Sequence, residues 1–363
     1  MDIVINQPRA SYFIGGAEMI SFDHAKNFLK LGDKITFIIL SPKSIGLEYS
    51  ERYREFCKKY DGKIKFIELE QEQKIVDIYK IKPGEDRCRW NIESICYNKK
   101  LYEFLLQQQI VYDAMISYYS LDANFVPSNL IKKNVLYLCG SPKNQDDFKG
   151  SFIAVYDKVL AITDNVKSSW EKYRKDVIGA VSTGVDVNRF SIKSFKETKI
   201  KKILYLGRLI ARKNVDKIIL AFEKLRKKSP LTLTIVGDGP EMPKLKKMSK
   251  AVTFVGAVND TEKYFKNADF FVSPSGYGEG VQGAILEAMS CGLTVIATDT
   301  EINHELLRDG RGILIQPTVD AIIQGIEDGL KLNLTDISAQ ARQYVVENYD
   351  WLHLTKKMRE LIK

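Results

Sequence analysis

Short β-branched runs alternate with helix-length amphipathic segments along most of this chain, and the alternation occurs twice. In the first half, strands are predicted at 2–5, 34–40, 64–69, 113–117, 134–138, 158–162 and 178–181, with helices at 18–31 and 164–174. In the second half, strands are predicted at 202–206, 231–236, 252–255, 269–272 and 293–297, with helices at 213–228, 240–249, 260–267 and 281–290. This alternation is typical of parallel sheets covered by helices on both faces. It predicts an α/β protein with two Rossmann-like domains facing each other across a central cleft.

A lysine-rich stretch separates the two halves of the pattern. The chain has 363 residues, a length that suits two domains of ordinary size. We predict a first domain at 1–190, a second at 191–349 and a closing amphipathic helix at 350–363. Asp164 is the predicted N-cap of the helix at 164–174, and residues 73–95 are interpreted as a loop or lid.

Composition excludes several classes of protein. No run approaches the roughly 18 consecutive apolar residues that a membrane-spanning helix needs, and no signal-peptide pattern is present. The five cysteines contain no Cys-x-x-Cys pair, and no two of His24, His304 and His353 have metal-ligand spacing. We therefore expect a cytoplasmic protein with reduced thiols and no metal site.

Charge is positive but divided into local clusters. There are 55 basic and 46 acidic residues, a net charge of +9, and the densest clusters are 193–202, 224–228 and 244–250. Solvated helix faces and a linker are the favoured interpretation, and weak attraction to anionic lipid or phosphate-bearing substrates is the alternative. No nucleic-acid-binding motif appears, so nucleic acid is not an expected partner.

Two loops that follow predicted strands could bind an anion. Gly15 and Gly16 follow the first strand and lead into a helix, which allows close backbone approach, although a tight turn explains them equally well. Arg208 and Lys213 follow strand 202–206 and together would neutralise a pyrophosphate without a metal. The alternative is an ordinary surface pair, although cations are disfavoured at a helix N-terminus.

The two loops that come later differ in how specific they are. The sequence from Val236 to Pro240 reads as a structural turn and lacks the dinucleotide fingerprint. After strand 269–272, Glu279 precedes a predicted helix and Glu287 lies inside it, while helix-start amides from Val281 to Gly283 would face phosphates. A capping carboxylate plus a structural salt bridge is the alternative.

Taken in order, these motifs resemble the retaining family 4 glycosyltransferases, which have the GT-B fold. The residues that carry the resemblance are Gly15-Gly16-Ala17-Glu18, Thr183 to Phe190, Gly207-Arg208 with Lys213, Val236 to Pro240, and Glu279-Gly280 through Gly292. The resemblance implies that the second domain binds the donor and the first the acceptor. It also implies that the last helix crosses back onto the first domain.

Site roles follow from the same resemblance. It implies that Arg208 and Lys213 bind the donor diphosphate, Glu279 contacts the transferred sugar and Glu287 holds the ribose hydroxyls. The remaining residues expected to bind the donor are Gly15, Gly16, Gly237, Gly280, Val281 and Gln282. The implied reaction is metal-independent, retaining hexosyl transfer from a UDP- or GDP-linked sugar by front-face displacement, with no cofactor.

The sequence departs from the family pattern at three places. A histidine common after the fifth strand is absent at Cys139-Gly140, Thr183 replaces an asparagine, and Gln282 replaces a glycine. A non-catalytic nucleotide-sugar-binding relative and an epimerase on the same scaffold are therefore alternatives. The expected acceptor is a glycan or a lipid-linked one, and segments 52–56 and 99–104 are candidates for peripheral contact with the inner face of a membrane.

Overall fold

The computed structural model describes residues 1–13, 16–71, 86–118, 126–140, 153–179, 182–192, 199–276 and 282–363. The chain divides into two compact units, Met1–Ser182 with Leu352–Lys363, and Thr183–Trp351. Residues 183–190, which the sequence assigned to the first domain, lie in the second unit because Val187 and Phe190 pack in its core. The helix that closes the chain lies in the first unit.

The first unit contains a six-stranded parallel sheet with strand order β3-β2-β1-β4-β5-β6. Its strands are β1 (Asp2–Asn6), β2 (Lys34–Leu40), β3 (Ile64–Leu69), β4 (Ala114–Tyr118), β5 (Asn134–Leu138) and β6 (Lys158–Ala161). Its helices before the second unit are α1 (Gly16–Lys30), α2 (Glu51–Tyr60), α3 (Asp86–Gln108) and α4 (Asp164–Trp170). Every residue of β4 and β5 is buried, as a sheet covered on both faces requires.

Several local predictions in the first unit are corrected. Residues 86–95, which are interpreted from the sequence as part of a loop or lid, belong to α3. The N-cap of α4 is Thr163 and not Asp164, because the Thr163 side chain accepts a hydrogen bond from the Val166 amide and Asp164 is already helical. The helix ends at Trp170 rather than at residue 174. Of the strand predicted at 178–181, the described part shows a single bridge between Ile178 and Leu160.

The second unit contains another six-stranded parallel sheet, with strand order β12-β11-β10-β7-β8-β9. Its strands are β7 (Lys201–Leu206), β8 (Leu231–Val236), β9 (Val252–Gly256), β10 (Phe270–Ser273), β11 (Thr294–Thr298) and β12 (Ile313–Ile315). Its helices are α5 (Val215–Leu225), α6 (Met242–Met248), α7 (Glu262–Lys266), α8 (Gly283–Ser290), α9 (Glu301–Leu307), α10 (Val319–Lys331) and α11 (Leu334–Tyr349). The α/β fold with two Rossmann-like sheets is confirmed, and the cleft between them stays a prediction.

Strand order reverses at the centre of the second sheet. The chain adds β8 and β9 on one side of β7, and then places β10, β11 and β12 on the other side. In sheets of this type, ligands bind beyond the carboxyl ends of the strands at the point where the order reverses. The loops that follow β7 and β10 are therefore the place to look for a ligand site.

The final helix, α12 (Trp351–Leu361), is held on the first unit by a buried carboxylate. Asp33 accepts a hydrogen bond from the N-terminal amine at 2.8 Å, and its side chain is fully buried. The Arg359 guanidinium on α12 contacts both carboxylate oxygens of Asp33 at 2.9 Å. One buried carboxylate thus joins the start of the chain to its end.

Candidate active site

The loops after β7 and β10 are hydrogen-bonded to each other. The side-chain amide of Asn214 donates to the Pro274 carbonyl at 2.8 Å, and the backbone amide of Gly276 donates to the Arg212 carbonyl at 2.7 Å. Asn214 was not recognised in the sequence, where its only signal was its position beside Lys213. These bonds fix the loop that carries Arg208 and Lys213 against the loop that leads to α8.

Lys213 lies just before the helix and not inside it. It is the last residue of a 3-10 turn, Ala211–Lys213, and α5 begins at Val215 after Asn214, which adopts a left-handed conformation with φ of 52°. The helix predicted at 213–228 is shorter at both ends, since it begins at Val215 and ends at Leu225. Arg208 is exposed and forms no ion pair with any residue that the structure describes. An exposed guanidinium at this edge of the sheet suits an anionic ligand.

Gly237 allows the loop after β8 to approach the loop after β7. A Cβ atom at Gly237 would lie 1.9 Å from the Gly207 carbonyl oxygen, and its φ of +134° disfavours any other residue. The Leu209 amide donates to the Asp238 carbonyl at 2.9 Å and so supports the segment that carries Arg208. The structural turn interpretation accounts for this contact, and the donor contact at Gly237 stays a prediction.

The side-chain amide of Gln282 joins Lys213 to the loop after β10. Its Oε1 atom accepts from the hydroxyls of Ser273 at 3.0 Å and Ser275 at 3.4 Å, both of which are buried. The same oxygen lies 3.5 Å from Lys213 Nζ. Ser273 and Ser275 were not predicted as site residues, because hydroxyls in a Ser-Pro-Ser loop are also ordinary turn residues. Gln282 consequently has a positioning contact with Lys213, besides the donor contact that the resemblance implies.

Helix α8 has a buried apolar face, and Glu287 is less buried than the residues of that face. Gln282 is its N-cap, so the helix begins at Gly283 instead of residue 281. Glu287 is only half-buried. The side chains on either side of it in the helix are fully buried, and these are Ile285, Leu286, Ala288 and Met289. Burial raises the pKa of the Cys291 thiol to about 12, and the negative charge of the nearby Glu287 adds to this effect.

Several predicted site residues cannot be placed. Gly15, Glu279, Gly280 and Val281 lie outside the described residues, and Gly16 is the first residue of α1. Their predicted roles therefore stay predictions. Arg208, Lys213, Gly237 and Gln282 are brought to the carboxyl edge of the second sheet, and Glu287 follows from the same edge along α8.

The position where the family commonly has a histidine holds a neutral thiol. Cys139 follows β5 and is half-buried, and burial together with the nearby Glu18 carboxylate raises its pKa well above the ordinary value. The next carbonyl, that of Gly140, accepts a hydrogen bond from the Trp170 indole at 2.8 Å. Neither group supplies the charged contact that an imidazolium would make.

The histidines have ordinary structural surroundings. His24 is buried with Nδ1 2.6 Å from the Tyr118 hydroxyl, and burial lowers its pKa to about 3. His304 is exposed, with Nδ1 3.1 Å from Asp299. Within the described ranges, no cluster of three acidic, histidine or cysteine side chains has the arrangement of a metal site.

The segments proposed for membrane contact show little exposed aromatic surface. On α2, Tyr53 and Phe56 are buried in the first unit, so segment 52–56 offers charge but no aromatic anchor. On α3, Leu101 is buried and Tyr102 is 39% exposed. No helix in the part of the chain that the structure describes is long and apolar enough to span a bilayer.

Comparison with known proteins identifies the second unit. Residues 200–331, from the start of the second sheet to the end of α10, match the sequence family "Glycosyl transferases group 1". This stretch of the second unit is similar to the group 1 glycosyltransferases. It contains Arg208, Lys213, Gly237, Gln282 and Glu287.

Two curated relatives extend the similarity beyond residues 200–331. An uncharacterized glycosyltransferase of Methanocaldococcus jannaschii is 29% identical over 258 residues, which cover 61% of this chain and 65% of the relative. An uncharacterized glycosyltransferase of Haemophilus influenzae is 26% identical over 337 residues, 86% of each chain. Among solved structures, Anabaena HepE in complex with UDP superposes with a TM-score of 0.73, 17% identity and coverage of 100% of this chain and 99% of HepE. The fold of the whole chain is therefore GT-B.

Proposed function

We propose that this chain is a retaining glycosyltransferase that moves a hexosyl unit from a nucleotide-diphosphate sugar to an acceptor hydroxyl. The observation that carries the proposal is the pair of cations, Arg208 and Lys213, at the carboxyl edge where the order of the second sheet reverses. Arg208 is exposed and forms no ion pair with any described residue, and Lys213 Nζ lies 3.5 Å from the neutral Oε1 atom of Gln282. Two cationic side chains on one loop at this edge suit a diphosphate.

The proposed chemistry needs no base supplied by a histidine. The acceptor oxygen attacks the anomeric carbon on the face from which the diphosphate leaves, and the carbon–oxygen bond to the diphosphate breaks. The leaving diphosphate oxygen takes the acceptor proton. Negative charge grows on the diphosphate as that bond breaks, so Arg208 and Lys213 stabilise the transition state more than the ground state.

Donor recognition is proposed to continue along α8. Glu287 would accept hydrogen bonds from ribose hydroxyls, because it is the half-buried carboxylate on a helix whose neighbouring side chains are buried. Glu279 would orient the transferred sugar. We further propose a UDP- or GDP-linked donor and an acceptor in glycan, glycolipid or cell-surface polysaccharide synthesis, used in the cytoplasm without metal or other cofactor.

Release of nucleotide from a panel of donors tests the function. Wild-type protein and the Glu279→Ala variant are incubated in EDTA with UDP-, GDP-, ADP- and TDP-linked sugars, with and without simple sugar and lipid acceptors. We expect release from one donor, lost in the variant and insensitive to EDTA. NMR of the glycoside product reports whether the anomeric configuration is retained.

The same panel distinguishes a glycosyltransferase from a non-catalytic relative that only binds the nucleotide sugar. A nucleotide that raises the melting temperature of the wild type, with no release from any donor and any acceptor, would favour the binding relative, for which the neutral thiol at Cys139 is the supporting observation. Absence of any nucleotide-dependent shift would contradict the site assignment itself.

A further inference from the structure

Three lysine clusters that are separate in the sequence meet at one edge of the second sheet. This surface, the lysine face, consists of Lys199, Lys201, Lys202, Arg226, Lys227, Lys228, Lys246, Lys247 and Lys250. It lies where β7, β8 and β9 begin, and these three strands are adjacent in the sheet. All of its residues are exposed except Lys201, which is half-buried.

Two hydrogen bonds fix the clusters to one another. The Lys201 amide donates to the Pro230 carbonyl at 3.0 Å, which places the first cluster beside the segment that follows α5. The Ser249 hydroxyl donates to Glu223, which ties the end of α6 to the end of α5. The three clusters therefore form one surface and not three separate helix faces.

The lysine face is nearly free of compensating charge. Glu223 pairs with Arg226, and Asp269 accepts the Lys202 amide. The lysines of this face form no ion pair with any other residue in the described ranges. Like charges that share one surface repel one another, so an anionic partner stabilises a surface of this kind.

We propose that the lysine face docks on an anionic lipid bilayer. Lysine dominates it, and lysine is a hydrated point charge on a flexible stem, which suits a diffuse layer of headgroups better than bidentate recognition of single phosphates. Clusters 224–228 and 246–250 contain no aromatic residue, and base-stacking platforms of single-stranded nucleic-acid sites require aromatics. The inference does not depend on the proposed function.

The location of the face is compatible with a working donor site. The candidate site lies at the carboxyl edge of the same sheet, and the lysine face lies at the amino edge. A six-residue strand such as β7 spans about 20 Å, so the two surfaces are separated by the length of the strands. A bilayer against the lysine face leaves the loop with Arg208 open to water-soluble ligands.

Vesicle co-sedimentation of the full chain tests the proposal. The probes are vesicles of phosphatidylcholine alone and vesicles of equal parts phosphatidylcholine and phosphatidylglycerol. We expect binding to the second kind only, and loss of that binding between about 0.1 M and about 1 M salt, where the Debye length falls from about 10 Å to about 3 Å. Equal binding to both kinds of vesicle would overturn the proposal.

Two matched variants locate the surface. The test variant is Lys227→Gln, Lys228→Gln, Lys246→Gln and Lys247→Gln. The control removes the same charge from exposed lysines of the first unit, with Lys63→Gln, Lys65→Gln, Lys356→Gln and Lys357→Gln. Each lysine near an anionic surface contributes about a fivefold change in partition, so we expect the test variant to bind at least roughly a hundredfold more weakly.

The control decides between a local surface and net charge. We expect it to bind within about threefold of the wild type, with both variants melting as the wild type does, since exposed lysine-to-glutamine changes perturb stability little. Equal losses in the two variants would overturn the proposal. So would tighter binding of the wild type to duplex DNA or single-stranded RNA than to the anionic vesicles at the same salt.

Discussion

Lys213 Nζ lies 3.5 Å from Gln282 Oε1, and that oxygen also accepts from the hydroxyls of Ser273 and Ser275. Three donors converge on one amide oxygen, so the orientation of the Gln282 side chain is determined by its surroundings. A neutral acceptor holds the ammonium without cancelling its charge. Glutamine at this position therefore both positions Lys213 and preserves its attraction for a diphosphate.

Replacing the neutral acceptor by a charged one separates these two effects. The Gln282→Glu variant keeps an oxygen near Lys213, Ser273 and Ser275 but compensates the lysine charge. We expect the donor KM to rise and kcat/KM to fall roughly tenfold, which corresponds to about 1.4 kcal/mol. Ser275→Ala is the control, since it leaves the amide and Lys213 in place, and its kcat/KM should stay within about threefold of the wild type. A Gln282→Glu enzyme with normal donor KM would contradict the contact.

Removing Arg208 tests the exposed cation. Because growing negative charge on the diphosphate is stabilised mainly in the transition state, Arg208→Ala should lower kcat roughly 100- to 1000-fold. Its melting temperature should hardly change, since the side chain is exposed and has no ion pair in the described part of the chain. Arg308, whose side chain is 58% exposed, offers an arginine control in the same unit. Near-normal turnover in Arg208→Ala would remove this residue from the mechanism.

The sequence predicted strands better than helix ends. Strands 34–40, 64–69, 134–138 and 231–236 match the structure residue for residue, because each is a short run rich in β-branched and other apolar residues. Helix α2 was not placed, since it follows a short 3-10 turn and exposes charge on most of its surface. Helix α4 was given the wrong cap because Thr163 and Asp164 are both good N-cap residues and only the backbone distinguishes them.

Site prediction reached the loops but not the contacts between them. Arg208 and Lys213 were found because two permanent charges after a strand are unusual. The hydrogen bond from Asn214 to Pro274 joins residues 60 positions apart, which no local pattern reveals. No local pattern reveals the lysine face either, because only the order of β7, β8 and β9 in the sheet places the three clusters together.

A methyl group at Gly237 should disturb the loop that carries Arg208. Its Cβ would lie 1.9 Å from the Gly207 carbonyl oxygen, so the two loops must separate. We expect Gly237→Ala to lower the free energy of unfolding by roughly 3 kcal/mol and to weaken donor binding. Gly256→Ala is the matched control, with φ of +88° and no atom within 4 Å of the new Cβ, so that it loses only about 1 kcal/mol. Equal melting temperatures for the two variants in denaturation experiments would contradict the close approach.

The buried carboxylate of Asp33 should be important for the first unit. Asp33→Ala leaves the N-terminal amine and Arg359 without their shared partner, and breaking a buried pair costs roughly 3 kcal/mol. Urea denaturation should show this loss in the transition of the first unit. The matched control on the same helix is Glu360→Ala, which removes an exposed pair with Lys363 and should change stability by less than about 0.5 kcal/mol. A similar small effect for both variants would show that Asp33 does not anchor α12.

His24 should make the first unit sensitive to mild acid. Its folded-state pKa is lowered to about 3 by burial, from an ordinary value of 6.5. Between these two values the unfolded chain binds one proton more than the folded chain, so the free energy of unfolding falls as the pH falls, by about 1.4 kcal/mol per pH unit. From about pH 6.5 to about pH 5 the loss is roughly 2 kcal/mol.

A substitution isolates this contribution from the carboxylates that also titrate in acid. His24→Phe removes the ionisable group while keeping an aromatic ring beside Tyr118 and Tyr137, which already contact the imidazole. The difference in unfolding free energy between wild type and variant should then change with pH over this window, with the wild type losing more. His304→Gln, an exposed control, should show no such difference. Parallel pH profiles for the wild type and His24→Phe would mean that His24 does not stay neutral in the folded protein.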